Sequence, residues 1–177
     1  MSIETDVRYL LDRLEIQDVI QRYGIGQDAH QPSPDVWDNN VLEQWDEAFT
    51  PAGTVDYTSA GDPGPDAPYR QLAEHMRGKD LRGGGTMSVL ANWQHLEGVP
   101  TVTIDGDTAH ARTPHLHTHK GRHDGPEGWN VVQAGVFHDD LVRTERGWRI
   151  AHRRIEIHYV DVVVTKSDLF AKEGLEG

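Results

Sequence analysis

The 177-residue chain contains no cysteine. That excludes a disulfide framework and any thiolate-ligated metal site. Basic residues are scarce beside acidic ones: 17 Lys and Arg stand against 29 Asp and Glu, for a formal net charge of −12. A chain that neutralises phosphates or anionic headgroups needs the opposite balance, so neither nucleic acid nor a membrane is an expected partner. No apolar run approaches the ~20 residues of a membrane span. The first residues, "MSIETDVRYLL", lack the basic segment followed by an apolar one that marks a secretory leader. The expectation is a cytoplasmic protein. Its length suits one domain over residues 1–177, enough to bury a core without staples.

What the chain has in abundance is histidine, 11 in all. Such a chain can bind metal, move protons, or do neither. The hydrophobic pattern divides it in two. Residues 5–27 read as a helix, with Val7, Leu10, Leu11, Leu14, Ile20 and Tyr23 at helical spacing and Thr5 or Asp6 able to cap its start. "QPSPD" (31–35) breaks the pattern, 35–49 resume it, and "YRQLAEHMRGKD" (69–80) fits a third helix. Val55 and Tyr57 alternate with polar residues, as in a short strand. After residue 86 the chain turns to long alternating stretches rich in Val, Ile, Thr and aromatics. "DGD" (105–107) and "ERG" (145–147) are hairpin turn signals. Helices first and an antiparallel meander after them mean α+β. Long strands should curve, and a curved sheet closed by helices makes a cone-shaped half-barrel with an internal pocket.

Four segments, in order, resemble one group: "LEIQDVIQRYGIGQD", "FTPAGTVDYTS", "HLEGVPTVTIDGDTAHART" and "LVRTERGWRIAHRRI". The chain resembles the SnoaL-like branch of the nuclear transport factor 2-like superfamily, which also contains scytalone dehydratase, bile-acid dehydratases and polyketide cyclases. The resemblance spans roughly residues 5–160. It implies the half-barrel, and it implies that a tyrosine and an aspartate near the end of the first helix work with a histidine on the sheet. Those positions are Tyr23, Asp28 and His95. Gly24 and Gly26 would let the helix lie close to the sheet.

Read for chemistry, an Asp28–His95 pair fixes the imidazole tautomer and makes the other ring nitrogen a better base. Tyr23 can donate a hydrogen bond to an oxygen that gains negative charge. It can equally be a core aromatic of the buried helix face. Tyr57 is a pocket wall or a plain strand aromatic. Trp93 shares a strand face with His95 and would suit a flat apolar substrate or an ordinary sheet core. His115, His117 and His119 recur at period two, on one strand face. Residues i and i+4 of a strand lie ~13 Å apart, too far for His115 and His119 to hold one ion. At most two neighbours could ligate one ion, with a carboxylate from elsewhere; against that alternative, no metal and no cofactor is expected. By their position relative to His95 in the family pattern, the resemblance implies His117 as a second acid–base group and His119 as a substrate contact. In "RIAHRRIEIH" (149–158), His152, Arg154, Glu156 and His158 share one face, and Arg149, Arg153, Ile155 and Ile157 the other. Arg154 is a candidate substrate contact, against the alternative of an outward charged ladder or a subunit interface. Pro114 is unexpected within a strand unless it sits at an edge or bulge.

The expected function is a cofactor-independent lyase of dehydratase type acting on a small, largely apolar cyclic or aromatic molecule. Loss of a small carbonyl fragment would use the same groups. The alternatives are an isomerase or polyketide-type cyclase, and a non-catalytic small-ligand-binding protein. A homodimer or homotrimer is expected, because "IEIHYVDVVVT" carries more apolar residues than one concave face needs.

Overall fold

The computed structural model describes residues 2–28, 41–61, 63–79, 81, 84–121 and 127–166. His30 and the segment 31–40 lie outside them, as does most of the loop after Gly121. Helix α1 (Ile3–Asp28) is followed by α2 (Val41–Ala48), β1 (Phe49–Asp56), β2 (Ala67–Pro68) and α3 (Tyr69–Arg77). The strands β3 (Leu90–Glu97), β4 (Thr101–Asp105), β5 (Thr108–Gly121), β6 (Glu127–Thr144) and β7 (Gly147–Lys166) complete the order. Helices and a curved mixed sheet form the expected α+β cone. The sheet runs β2-β1-β7-β6-β5-β3, with β4 also paired to β5. β1 lies parallel to β7, and the other pairings are antiparallel.

The two turn signals form as read. Asp105 pairs with Thr108 and Thr144 with Gly147, leaving two-residue loops, and Gly106 and Gly147 take positive φ (59° and 87°) that side chains disfavour. Pro114 falls between the last β3 rung (Glu97↔His115) and the first β4 rung (Thr101↔Arg112), where it lies outside both ladders and its carbonyl accepts from the Gly98 N–H at 2.8 Å. Its missing N–H therefore breaks no ladder. Two register shifts in the β6–β7 pair, at Ala134/Gly135 and Asp140/Leu141, bend the longest strands around the helices.

The core lies between the concave face of the sheet and the helices. Tyr23 stacks on Trp45 at 4.7 Å between ring centroids, and Phe49 stacks on Tyr69 at 4.7 Å. Trp45 Nε1 donates to the Tyr23 carbonyl (3.1 Å), tying α2 to the end of α1. At the other end of the contact, Asp12 accepts two bonds from Arg143 of β6 (2.7 Å each).

Three sequence readings are corrected. The apolar residues of α1 do not form one face. Ile16, Val19, Ile20 and Tyr23 are buried, whereas Val7, Leu10, Leu11 and Leu14 are exposed, because the two sets lie on opposite sides of the helix. Only one of the two helix glycines admits the sheet. A Cβ at Gly24 would stand 3.4 Å from Glu97 Oε1 of β3, whereas one at Gly26 would stand 2.8 Å from Trp45 of α2. Finally, Arg149 and Arg153 do not share a face. The shift between His152 and Ile150 inserts an extra residue, so Arg149 bonds the Trp148 carbonyl and Glu47 while Arg153 points into the core.

Candidate functional site

The end of α1 meets the inner face of β3 and β5. Antiparallel pairing sets Trp93 opposite His119, His95 opposite His117, and Glu97 opposite His115. Period two then turns all six side chains to the concave side. Asp28, the last residue of α1, grips His95 twice. Its Oδ1 lies 2.8 Å from His95 Nδ1, and its two oxygens accept from the His95 backbone N–H at 3.0 and 3.1 Å. With Nδ1–H donating to the carboxylate, the lone pair of His95 sits on Nε2, 3.4 Å from His119 Nε2. Burial lowers the pKa of His95 despite the opposing pull of Asp28, so the ring is neutral at neutral pH. A neutral, carboxylate-oriented imidazole is a general base.

His95, His117 and His119 line one cavity of about 160 Å³ together with Tyr23, Gln27 and Tyr57. That volume matches a void which takes up a benzene-sized molecule. Leu72, Met76, Met87 and Ile155 supply apolar wall, and His75, Thr86 and Gln133 add polar groups. Facing the histidines, the Tyr23 and Tyr57 hydroxyls share a short hydrogen bond, and Gln27 donates to Tyr23 at 3.0 Å. Burial pushes Tyr23 up to about 12 and Tyr57 well above its ordinary value. Both remain protonated, which suits them to donate hydrogen bonds rather than to remove protons. The imidazoles of His117 and His119 are held low by burial and by neighbouring histidines, His119 down to about 4. Neither stands ready as a charged acid at neutral pH. Each can pass on a proton only after receiving one.

Below the cavity lies a group that the sequence reading did not use. Arg153 is fully buried, clamps Asp139 through two bonds (2.6 and 2.9 Å), and sets its guanidinium 4.3 Å from the Tyr23 ring centroid. Glu97 Oε1 is 3.6 Å from Arg153 Nη1, too long for a formed hydrogen bond. One guanidinium cannot balance two buried carboxylates, and burial pushes Glu97 up to about 8, so it keeps its proton at neutral pH. Gln27 and Glu97 could have been found in the sequence. Gln27 stands one helical turn from Tyr23, and Glu97 shares a strand face with His95 two residues away.

Two expected substrate contacts lie elsewhere. Trp93 is buried and donates to the Gln27 carbonyl at 2.8 Å, with the Arg77 guanidinium 4.3 Å from its ring, so it braces the end of α1 rather than walling the cavity. Arg154 is half-buried and lies 3.5 Å from Glu156 in an ion pair, matching the outward charged ladder. A larger hollow of about 580 Å³ opens beside Asp46, Tyr69, Arg70 and Arg146. Its cations are already engaged, Arg70 by Asp46 and Arg146 by Glu47, and among the described residues no histidine lines it. The smaller histidine cavity is therefore the candidate site. Among the described residues no group of three or more His, Asp or Glu side chains is arranged to hold a metal ion.

Residues 8–154 match the family model described as a SnoaL-like domain. The chain is 30% identical over 154 residues to an uncharacterized protein of Mycobacterium tuberculosis, covering 85% of this chain and 87% of that one. Two solved structures share the fold. A hexachlorocyclohexane dehydrochlorinase from Novosphingobium barchaimii superposes with a TM-score of 0.65 at 16% identity, over 89% of this chain and 94% of its own. A nuclear transport factor 2 (NTF2-like) superfamily protein from Salmonella enterica gives a TM-score of 0.60 at 18% identity, over 84% and 92%.

Proposed function

This chain belongs to the SnoaL-like family, and on that premise we propose that it is a cofactor-independent lyase. The substrate is a small, largely apolar cyclic or aromatic molecule carrying a carbonyl or phenol next to an acidic C–H. The observation that carries the reading is the 2.8 Å hydrogen bond between Asp28 and His95, whose imidazole lines a cavity that the Tyr23–Tyr57 pair also lines. The dehydrochlorinase neighbour, named for an elimination, supports the reaction class.

In the proposed reaction His95 Nε2 takes a proton from carbon. The electron pair left behind is held as an enolate whose oxygen accepts a hydrogen bond from the one hydroxyl proton that the tyrosine pair does not share internally. Collapse of the enolate forms the C=C bond and breaks the bond to the leaving hydroxyl. The proton taken by His95 reaches that hydroxyl through His117 or His119, so water departs and every ring returns to its neutral form. This sequence makes the inner histidines carriers of one proton rather than permanently charged acids, in keeping with their lowered pKa values. Asp28 orients His95 and stabilises the transient imidazolium.

The test is turnover on a panel of hydroxylated cyclic ketones and phenols, comparing the wild type with His95→Asn. Loss of turnover with retained ligand binding supports the reading. Near-normal turnover on a true substrate sinks it and moves attention to His117 and His119. We also propose that the chain assembles as a homodimer or homotrimer. Two exposed apolar patches of the single chain support assembly, one at the end of β7 (Tyr159, Val160, Val162, Val163 and Val164) and one on the first turns of α1 (Ile3, Val7, Leu10 and Leu14), and which of them a second copy covers is a separate question. No helix among the described residues is long and apolar enough to cross a membrane.

A further inference from the structure

The first turns of α1 project beyond the sheet. Residues 2–11 are all exposed, and the first buried side chain is Asp12, which is anchored to Arg143. Beyond Asp12 the inward face of the helix is Ile16, Val19, Ile20 and Tyr23. On the opposite side Ile3, Val7, Leu10 and Leu14 stand 80%, 49%, 59% and 59% exposed. Their spacing of four, three and four residues is that of a coiled-coil seam. The rest of α1 is already held by the core, so the nucleation cost that defeats an isolated short helix has been met.

We propose that this arm is a docking surface for the same arm of a second copy, packed antiparallel about a two-fold axis. The sequence of the arm supplies the argument for that occupant. With the axis between Arg8 and Tyr9, Ile3 faces Leu14 of the second copy and Val7 faces Leu10. The four seam residues then bury one another in both directions, as an isologous contact requires. The flanking charges also match. Asp6 and Arg13 lie on the same edge of the seam, and antiparallel pairing sets each beside the other's counterpart, giving two opposite-charge contacts. Within its own chain neither residue forms an ion pair among the described residues. Arg13 makes a long 3.5 Å contact with the Tyr9 hydroxyl and sets its guanidinium 5.8 Å from that ring's centroid, both within its own helix. A parallel arrangement would instead bring together two first turns that each carry Glu4 and Asp6. That clash of like charges selects the antiparallel pairing.

The test is the oligomeric state of the full chain by sedimentation at micromolar concentration, with far-UV circular dichroism to show that each variant is folded. The wild type is expected to dimerise and Leu10→Glu to be monomeric. Asp6→Arg should weaken dimerisation about three- to tenfold, the scale of exposed charge pairs lost and repelled. Adding Arg13→Asp to Asp6→Arg should restore it, because the reversed charges meet again across the axis. A monomeric wild type overturns the proposal. So does a dimer indifferent to Leu10→Glu, or a double charge swap that fails to recover what the single change lost. An assembly that survives Leu10→Glu but is lost in Val162→Lys places the contact at the end of β7 and equally overturns the arm pairing.

Discussion

Two sets of histidines occupy the two faces of one sheet, and their surroundings differ completely. On the convex side His110, His138 and His158 are exposed or half-exposed beside carboxylates. His110 pairs with Asp140 at 2.5 Å, and His138 and His158 flank Glu156 at 2.9 and 3.1 Å. On the concave side His95, His115 and His117 are buried, and all of them together with His119 are held below the ordinary imidazole pKa by desolvation. Among the described histidines only His95 combines burial with a carboxylate partner. The lesson is that neither a histidine nor a His–carboxylate pair marks a site. Exposed pairs contribute little and respond to salt. In the Asp28–His95 pair the imidazole is buried and its carboxylate half-buried, so a proton transfer changes the charge of a desolvated group.

The sharpest way to break this comparison is to substitute one member from each face. His95→Asn should lower turnover by ~10²–10⁴-fold, the usual contribution of general acid–base catalysis. Asp28→Asn should show a related loss, and the double variant should be little worse than either, since the two act as a unit. His138→Asn should leave turnover unchanged. Comparable losses from His95 and His138, measured by steady-state kinetics, would erase the distinction between the faces.

Buried titrating groups should also shape stability against pH. Glu97 holds its proton up to about 8 in the native state, against an ordinary value of 4.5. Between those values the unfolded chain releases a proton that the native state keeps, so this group makes stability fall as pH rises through the window. The slope is at most ~1.4 kcal/mol per pH unit. Glu97→Gln should flatten that alkaline decline in urea midpoints. A parallel decline in both proteins would show that Glu97 is ionised throughout. The inner histidines act with the opposite sign. His115 and His119, depressed to about 4 from 6.5, stay neutral in the native state while the unfolded chain takes up protons. Stability should therefore fall as pH drops from about 6.5 toward 4. Imidazole proton NMR checks this directly: the His119 resonance should not shift down to about pH 5, and a midpoint near 6.5 would contradict its burial.

The smallest expected effects concern α1. Gly26→Ala forces a methyl against Trp45 at 2.8 Å and should cost ~1–3 kcal/mol through overpacking. Gly24→Ala meets Glu97 only at 3.4 Å, and the gain in helix propensity, about 1 kcal/mol, should leave it neutral or slightly stabilising. Thermal denaturation of the two variants separates a close helix–helix contact from a looser helix–sheet contact.

The amino-acid sequence by itself determined the local elements. Helical spacing in 5–27, the turns at Gly106 and Gly147, and the alternation of β3 and β5 need only neighbours along the chain, and all are present in the fold. The family, and with it the half-barrel, was legible from four ordered segments. Tertiary structure decided everything that depends on which strand lies beside which. The β3–β5 register made His95 and His117 neighbours, and the β6–β7 bulges sent Arg153 inward while Arg149 bonded to Glu47. Burial, which no local pattern encodes, turned Glu97 from an ordinary carboxylate into a neutral acid beneath the tyrosines. It also made α1 apolar on two sides for two different reasons, one answered by the core and one left facing solvent. The physical reason is range. Propensity and periodicity act over a few residues, whereas desolvation and charge balance depend on groups brought together from 50 or more residues apart, as Asp28 and His95 are.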